Sequence, residues 1–341
     1  MGLLKRYLIY FSYIGTNFRG VQRQKSRTEV NYHDPSTVQG LLEYALERMK
    51  PLNKVAVELA SRTDQGVHAL NSAAAINLDF NYEIKPIRMH HFLNRFFHDT
   101  ELPIRVQNIV QVPWDFSPRK LPLWRKYIYR FAILKDNSLL DKDNEYTIPI
   151  PITEYNRCYF VMNSIFNIDE VRKTCDLFIG TKDFISFMGK PKHQPEDIST
   201  IRCIHSLIIE SAQPYLPSKL NDNFSYYHLI CEGKSFVYNQ IRRTVAILLA
   251  VGQGILTFHD VELMFTDPTP INFDKFKLAP AYGLYLADIF YNPKDVALPN
   301  DIKITEEKEL DPAEIMKQKK EMIKARLEIL QVKREKYSNK M

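Results

Sequence analysis

Apolar residues recur along the chain at two spacings. Period two marks strands: Tyr7, Ile9 and Phe11; then Val55, Val57 and Leu59; then Ala74, Ile76, Leu78 and Phe80. Helical spacing appears in TVQGLLEYALERM, where Val38, Leu41, Leu42, Ala45, Leu46 and Met49 share a face, with Ser36 or Thr37 as N-cap. Gly40 inside that helix costs about 1 kcal/mol relative to Ala. A helix around IRMHHFLNRFF and a strand around IRVQNIVQV complete a run of strand, helix, strand, strand, helix, strand.

A similar order follows. RKYIYRFAI reads as a strand, and DEVRKTCDLFIG as a helix closing at Gly180. IRCIHSLIIE and YYHLICEG are strands, and FVYNQIRRTVAILLAVGQG is a long helix with Phe236, Ile241, Val245, Leu248 and Leu249 on its apolar side. The two runs predict an α+β protein of two ferredoxin-like halves, sheet beside sheet. Three prolines in VPWDFSPRKLPLW mark the boundary, giving an N-terminal half over 1–118 and a C-terminal half over 119–300. The remaining segment, 301–341, is charged. Its narrow stripe of Met316, Ile323, Leu327 and Leu330 predicts one amphipathic helix, docked on the body or on a partner.

Composition narrows the class. In 341 residues, 45% are hydrophobic and 12% aromatic, enough for a substantial core. No apolar run approaches the ~18 residues of a membrane span. The start MGLLKRYLIYFSY alternates like a strand and lacks a signal-peptide cleavage site. Cys158, Cys175, Cys203 and Cys231 are spaced for neither a zinc site nor a secreted disulfide framework, so free thiols in a reducing, intracellular compartment are expected. The formal charge is +6, and 303–341 alone holds 11 Lys/Arg against 8 Asp/Glu. The body is therefore only mildly basic, and charge alone does not decide for a polyanionic partner.

Candidate chemistry lies in LASRTDQGVHAL, a short loop between two strands that carries Arg62, Asp64, Gly66 and His68. By itself an Arg and an Asp two apart most often form a structural pair. In WRKYIYRF, alternation puts Tyr127 and Tyr129 on one strand face and Lys126, Ile128 and Arg130 on the other. Paired tyrosines there are either core or a base-stacking platform. Arg242 and Arg243 open an apolar helix, where a cation opposes the helix dipole, so an acidic or phosphate partner would explain one of them. His90 and His91 offer no metal geometry with the scattered cysteines.

Taken together these segments resemble the TruA-type tRNA pseudouridine synthases. SRTDQGVHA is similar to that family's catalytic loop, Gly-Arg-Thr-Asp-x-Gly-Val-His-Ala. In order, FRGVQRQ with TVQGLLEYAL, RKYIYR, FIGTKDFISF, SFVYNQIRRTVAILLAVGQG and APAYGLYLADIFY resemble five further family segments, over about residues 5–292. The likeness is strongest to the animal tRNA pseudouridine synthase-like 1 branch. Ser61 replaces the usual glycine, Lys182 stands where His is common, and residues 25–36 look inserted.

The resemblance implies a pseudouridine synthase fold: an extended mixed, largely antiparallel sheet with helices on one side and a central RNA-binding cleft. It implies an isomerase that breaks the N1–C1′ bond of uridine in tRNA and rejoins the base through C5. No cofactor and no metal are implied. It assigns Asp64 as the catalytic carboxylate, Arg242 as its partner and Tyr127 as the ring packing on the target base. Arg62 would help to displace the target nucleotide from its stack, and Arg19, Gln22, Arg23, Gln24, Lys126 and Arg243 would contact RNA. The implied substrate is a tRNA anticodon arm. Bacterial members are homodimers, which leaves a homodimer open here. The animal branch implies mitochondria, whereas the chain shows no Arg-rich presequence and a cytoplasmic site stays open. His68 reads as a residue that orders the loop. A catalytically inactive RNA-binding protein on the same scaffold is the competing reading. A two-carboxylate glycoside hydrolase is the other, but it lacks a matched second acid.

Overall fold

The computed structural model describes residues 4–23, 33–80, 84–139, 148–189, 199–269 and 278–298. The expected helical tail over 301–341 and most of the insertion over 25–36 lie outside them. Residues Met1–Ala297 form one compact unit.

Ten strands form one sheet: β1 (Lys5–Tyr13), β2 (Val57–Leu59), β3 (His68–Leu78), β4 (Ile104–Gln111), β5 (Trp124–Leu134), β6 (Tyr159–Val161), β7 (Gly180–Asp183), β8 (Ile201–Ala212), β9 (Phe224–Gly233) and β10 (Leu284–Phe290). Their order is β4-β1-β3-β10-β5-β9-β8-β7, with β2 beside β3 and β6 beside β5. The pairs are antiparallel except β5–β6 and a short parallel pairing of β10 with β3, Tyr285 opposite His68 and Leu286 opposite Ala69. That parallel pair joins the strands of the N-terminal run to those of the C-terminal run. The result is the mixed, mostly antiparallel α+β sheet that the pattern and the resemblance predict, and Val112–Leu123, between β4 and β5, contains no helix or strand.

The helices are α1 (Val38–Glu47), α2 (Pro86–Asp99), α3 (Ile168–Cys175), α4 (Gln240–Gly252), α5 (Phe258–Thr266) and α6 (Pro293–Val296). Apolar residues of α1 to α5 join one continuous core with the strands, and β5 shows how the sheet divides. Tyr127, Tyr129, Phe131 and Ile133 enter that core, whereas Ala132 and Leu134 enter a second, smaller one with Phe160, Phe224 and Tyr226.

Local chemistry sets the helix ends. Thr37 caps α1 by accepting from the Gly40 amide, as the spacing predicts. Gly40 is required there despite its helix cost, since a Cβ would lie 2.1 Å from the Asp34 carbonyl oxygen. The long helix expected from Phe236 starts only at Gln240, because Asn239 takes a left-handed conformation with φ of 58°. This delay leaves Phe236 in a loop, edge-on to Tyr127 at 5.2 Å between ring centroids. It also puts Arg242 and Arg243 in the first turn of α4.

On the smaller core's side of β5, Arg130 is 3% exposed and Glu154 fully buried. The guanidinium donates to both carboxylate oxygens, at 3.0 and 2.8 Å, and to His228 Nε2 at 2.9 Å. His228 therefore accepts, and burial holds its pKa down at about 4. A buried pair of this kind adds little net stability while intact, but removing one partner strands a charge. We expect Glu154→Ala to destabilise the fold by about 3–5 kcal/mol in denaturant titration, with little change if the carboxylate were solvated.

Candidate active site

Asp64 lies on the loop between β2 and β3, and that loop is held from several sides. Tyr13 of β1 hydrogen-bonds Thr63 side chain to side chain at 2.6 Å, and the Val21 amide donates to the Thr63 carbonyl at 3.3 Å. Gly20, with φ of 121°, lets this second loop press against the first, since its Cβ would sit 3.2 Å from Thr63 O. The Val67 amide donates to the Asp64 carbonyl at 3.2 Å, closing a tight turn. Gly66 in that turn has φ of 82°, which favours glycine.

The carboxylate meets Arg242 of α4. Arg242 Nη1 stands 3.7 Å from Asp64 Oδ2, and Arg242 Nε donates to Ala279 O at 2.7 Å, fixing the guanidinium. Two effects compete at Asp64. Burial pushes its pKa up, while the charge of Arg242 pulls it down; burial is the larger, and the net shift is upward. The Tyr127 phenol faces the same loop. Burial raises its pKa, against the charge of Arg125, so it stays neutral.

His68 is 3% exposed and both ring nitrogens are engaged. Nδ1 accepts from the Gly15 amide at 3.1 Å, so Nε2 carries the proton and faces the carbonyls of Asn156 and Tyr282 at 3.0 and 3.1 Å. The ring stacks on Tyr285 with centroids 4.6 Å apart. A neutral imidazole so tied orders the loop, as the sequence predicts.

The other named residues divide. Arg62 is exposed, and its pKa is lowered by burial of part of the guanidinium and by the nearby charge of Arg119. Arg19 and Gln22 are exposed, whereas Arg23 pairs with the buried Glu43 at 3.1 Å. Gln24 lies outside the described residues. Lys126 is not brought to the Asp64 side: it pairs across the sheet with Glu232 at 3.3 Å, because strand alternation turns it away from Tyr127. Arg243 lies beside Arg242 and is half-buried, with burial lowering its pKa. Among the described residues no group of three or more His, Cys, Asp or Glu could hold a metal ion, and no helix is long and apolar enough to cross a membrane.

One contributor was missed in the sequence. Arg125 is 8% exposed, and its guanidinium reaches Ser61 Oγ and Ala60 O, at 2.7 and 2.8 Å. The signal was available: period two puts Arg125 on the same strand face as Tyr127.

The chain is similar to known proteins. A family model described as tRNA pseudouridine synthase matches residues 174–292, which include Arg242. The human tRNA pseudouridine synthase-like 1 is 30% identical over 289 residues, 84% of this chain and 90% of its own length. The chain belongs to the tRNA pseudouridine synthase family. The mouse tRNA pseudouridine synthase-like 1 is 28% identical over 84% of this chain and 94% of its own. Family membership extends to bacteria: the Staphylococcus aureus tRNA pseudouridine synthase A is 29% identical over 89% of this chain and all of its own.

The competing influences on Asp64 give a pH dependence. With its folded pKa above that of a free aspartate, the carboxylate ionises only at higher pH, so a reaction needing the anion is lost as pH falls through that raised value. Arg242→Gln removes the opposing influence, and we expect the acid limb of the rate profile to move to higher pH. An unmoved limb would separate Arg242 from the titration of Asp64.

Proposed function

We propose that this protein isomerises uridine to pseudouridine in the anticodon arm of a tRNA, with Asp64 as the catalytic carboxylate. The observation that carries the reading is the Asp64–Arg242 pair, set across the two halves beside Tyr127 in a chain of this family.

The chemistry asks for little else. The N1–C1′ bond breaks, the uracil turns, and C5 bonds to C1′; N1 gains a proton and C5 gives one up to solvent. Electrons balance without a redox partner, and no atom is lost, so no cofactor enters. Asp64 meets the nucleoside as an anion in a site that excludes much of the water, and Arg242 keeps that anion ionised against burial. Tyr127 packs on the base. A uridine in a stem must leave its stack first, at a cost of a few kcal/mol, and Arg62 on the exposed side of the loop fills the place it vacates. Arg19 and Gln22 would contact the RNA backbone at the cleft's edge.

The test uses a tRNA transcript tritiated at uracil C5, since forming the C5–C1′ bond expels that hydrogen. Wild type should release tritium and Asp64→Ala should release none, while both bind the transcript within a few-fold of each other. Asp64→Ala should also fold at least as well as wild type at neutral pH. With a raised folded pKa, the stability this group contributes is full below about 3.8 and lost as pH rises through the folded value. Free uracil among the products would turn the reading to a hydrolase. Binding with no release by wild type would turn it to an inactive RNA-binding protein.

A further inference from the structure

The most heavily committed buried cation near the site hydrogen-bonds four oxygens, none of them from a carboxylate. Arg125, on β5, directs its guanidinium at four oxygens from three parts of the chain. Nε donates to Ser61 Oγ at 2.7 Å, Nη2 donates to Ala60 O at 2.8 Å and Arg119 O at 3.0 Å, and Nη1 donates to Lys234 O. Ala60 and Ser61 begin the segment that carries Asp64. Arg119 belongs to the connection between β4 and β5. Lys234 follows β9 in the loop that leads into α4 and Arg242.

A rigid planar fork is suited to such a task, because its donors leave in fixed directions and can engage several carbonyls and a hydroxyl at once. Burial without a carboxylate is costly for a cation, and the pKa of Arg125 is lowered by desolvation accordingly. Ser61 is the side-chain end of that link. Its hydroxyl accepts from Arg125, so the serine ties the Asp64 loop to the fork. A glycine at this place could not make that contact.

Resting on the function proposed above, we infer that Arg125 is a positioning residue: with Ser61 it sets Asp64 against Arg242 and Tyr127, and it acts on the reaction only through them. Simple fold stabilisation would be a different role, and the two separate experimentally. Loosening the anchor lengthens the Asp64–Arg242 contact, which weakens the influence holding the carboxylate ionised. A mere loss of folded protein lowers the amplitude of activity and leaves the titration of Asp64 in the remaining molecules unchanged.

The experiment uses the full chain with 13C-carboxyl-labelled aspartate, the Asp64 signal being identified by its absence in Asp64→Asn. The Asp64 titration is followed by NMR in wild type, Arg125→Lys, Ser61→Ala, Arg242→Gln and the Arg125→Lys/Arg242→Gln double variant. Single-turnover tritium release and tRNA affinity are measured beside it. Arg125→Lys keeps the charge and loses the fork. It should move the Asp64 titration to higher pH and slow single turnover about 100-fold, the scale of an ångström's misplacement, with tRNA affinity changed less than about threefold. Ser61→Ala should move both in the same direction, with a rate loss of about tenfold, as for one lost hydrogen bond. In the Arg242→Gln background, Arg125→Lys should add no further shift.

Folded Arg125→Lys with an unchanged Asp64 titration and rate overturns the inference, and so does an equal shift without Arg242. If Arg125→Lys does not fold, Ser61→Ala decides by the same two readouts. The NMR titration exists whether or not the protein turns over. Shifted titrations in a protein that releases no tritium would therefore sink the proposed function while leaving the positioning role standing.

Discussion

The pairing of β10 with the first residues of β3 is the constraint on which the site depends. It is two residues long and parallel, with Tyr285 opposite His68. Asp64 precedes that seam by four residues, and Ala279, whose carbonyl anchors Arg242, precedes β10 by five. A carboxylate and a guanidinium far apart in sequence are thus delivered to one place by backbone pairing. His68 reinforces the seam: its ring accepts from Gly15, donates toward Asn156 and Tyr282, and stacks on Tyr285. Protonating that imidazole would put two donors where one acceptor is needed, and its burial and depressed pKa keep it neutral.

Around the seam the protein balances burial against charge in two different ways. At Asp64 one arginine at 3.7 Å only partly offsets desolvation, so the carboxylate keeps a raised pKa and a partly open face. A carboxylate left so poised weighs against stability, a condition that functional sites commonly tolerate. At Glu154 two guanidinium bonds and the Tyr215 amide, at 2.7 Å, satisfy the carboxylate fully, and the pair is sealed from water. A carboxylate beside an arginine thus serves opposite ends in the two places. The difference lies in how many donors reach the oxygens and in whether a face stays open for another molecule.

The loop carrying Asp64 is stiff for a related reason. Thr63 is bound by β1 and by the Gly20 loop, Ser61 and Ala60 by Arg125 of β5, and Asp64 meets Arg242 of α4. None of these contacts is strong alone. Together they remove the freedom a surface loop otherwise keeps, which is what a site acting by geometry needs.

Much of this was legible in the chain itself. Period-two and helical spacings, a capping threonine and the prolines near 112–122 place the strands and helices in order, because burial of one face imposes those periods wherever the element sits. The ordered motifs single out Asp64, Tyr127 and Arg242. What only the tertiary structure decided is which groups meet. The left-handed Asn239 shortens α4 and moves Phe236 onto Tyr127, and Gly40 is demanded by an approaching carbonyl rather than by its own helix. Lys126 turns to Glu232, and Arg125 turns inward to bind four oxygens. Periodicity reports the face a side chain occupies, a local property of the backbone. Its partner depends on long-range strand pairing and on competition between burial and charge, and neither is written in the spacing of residues.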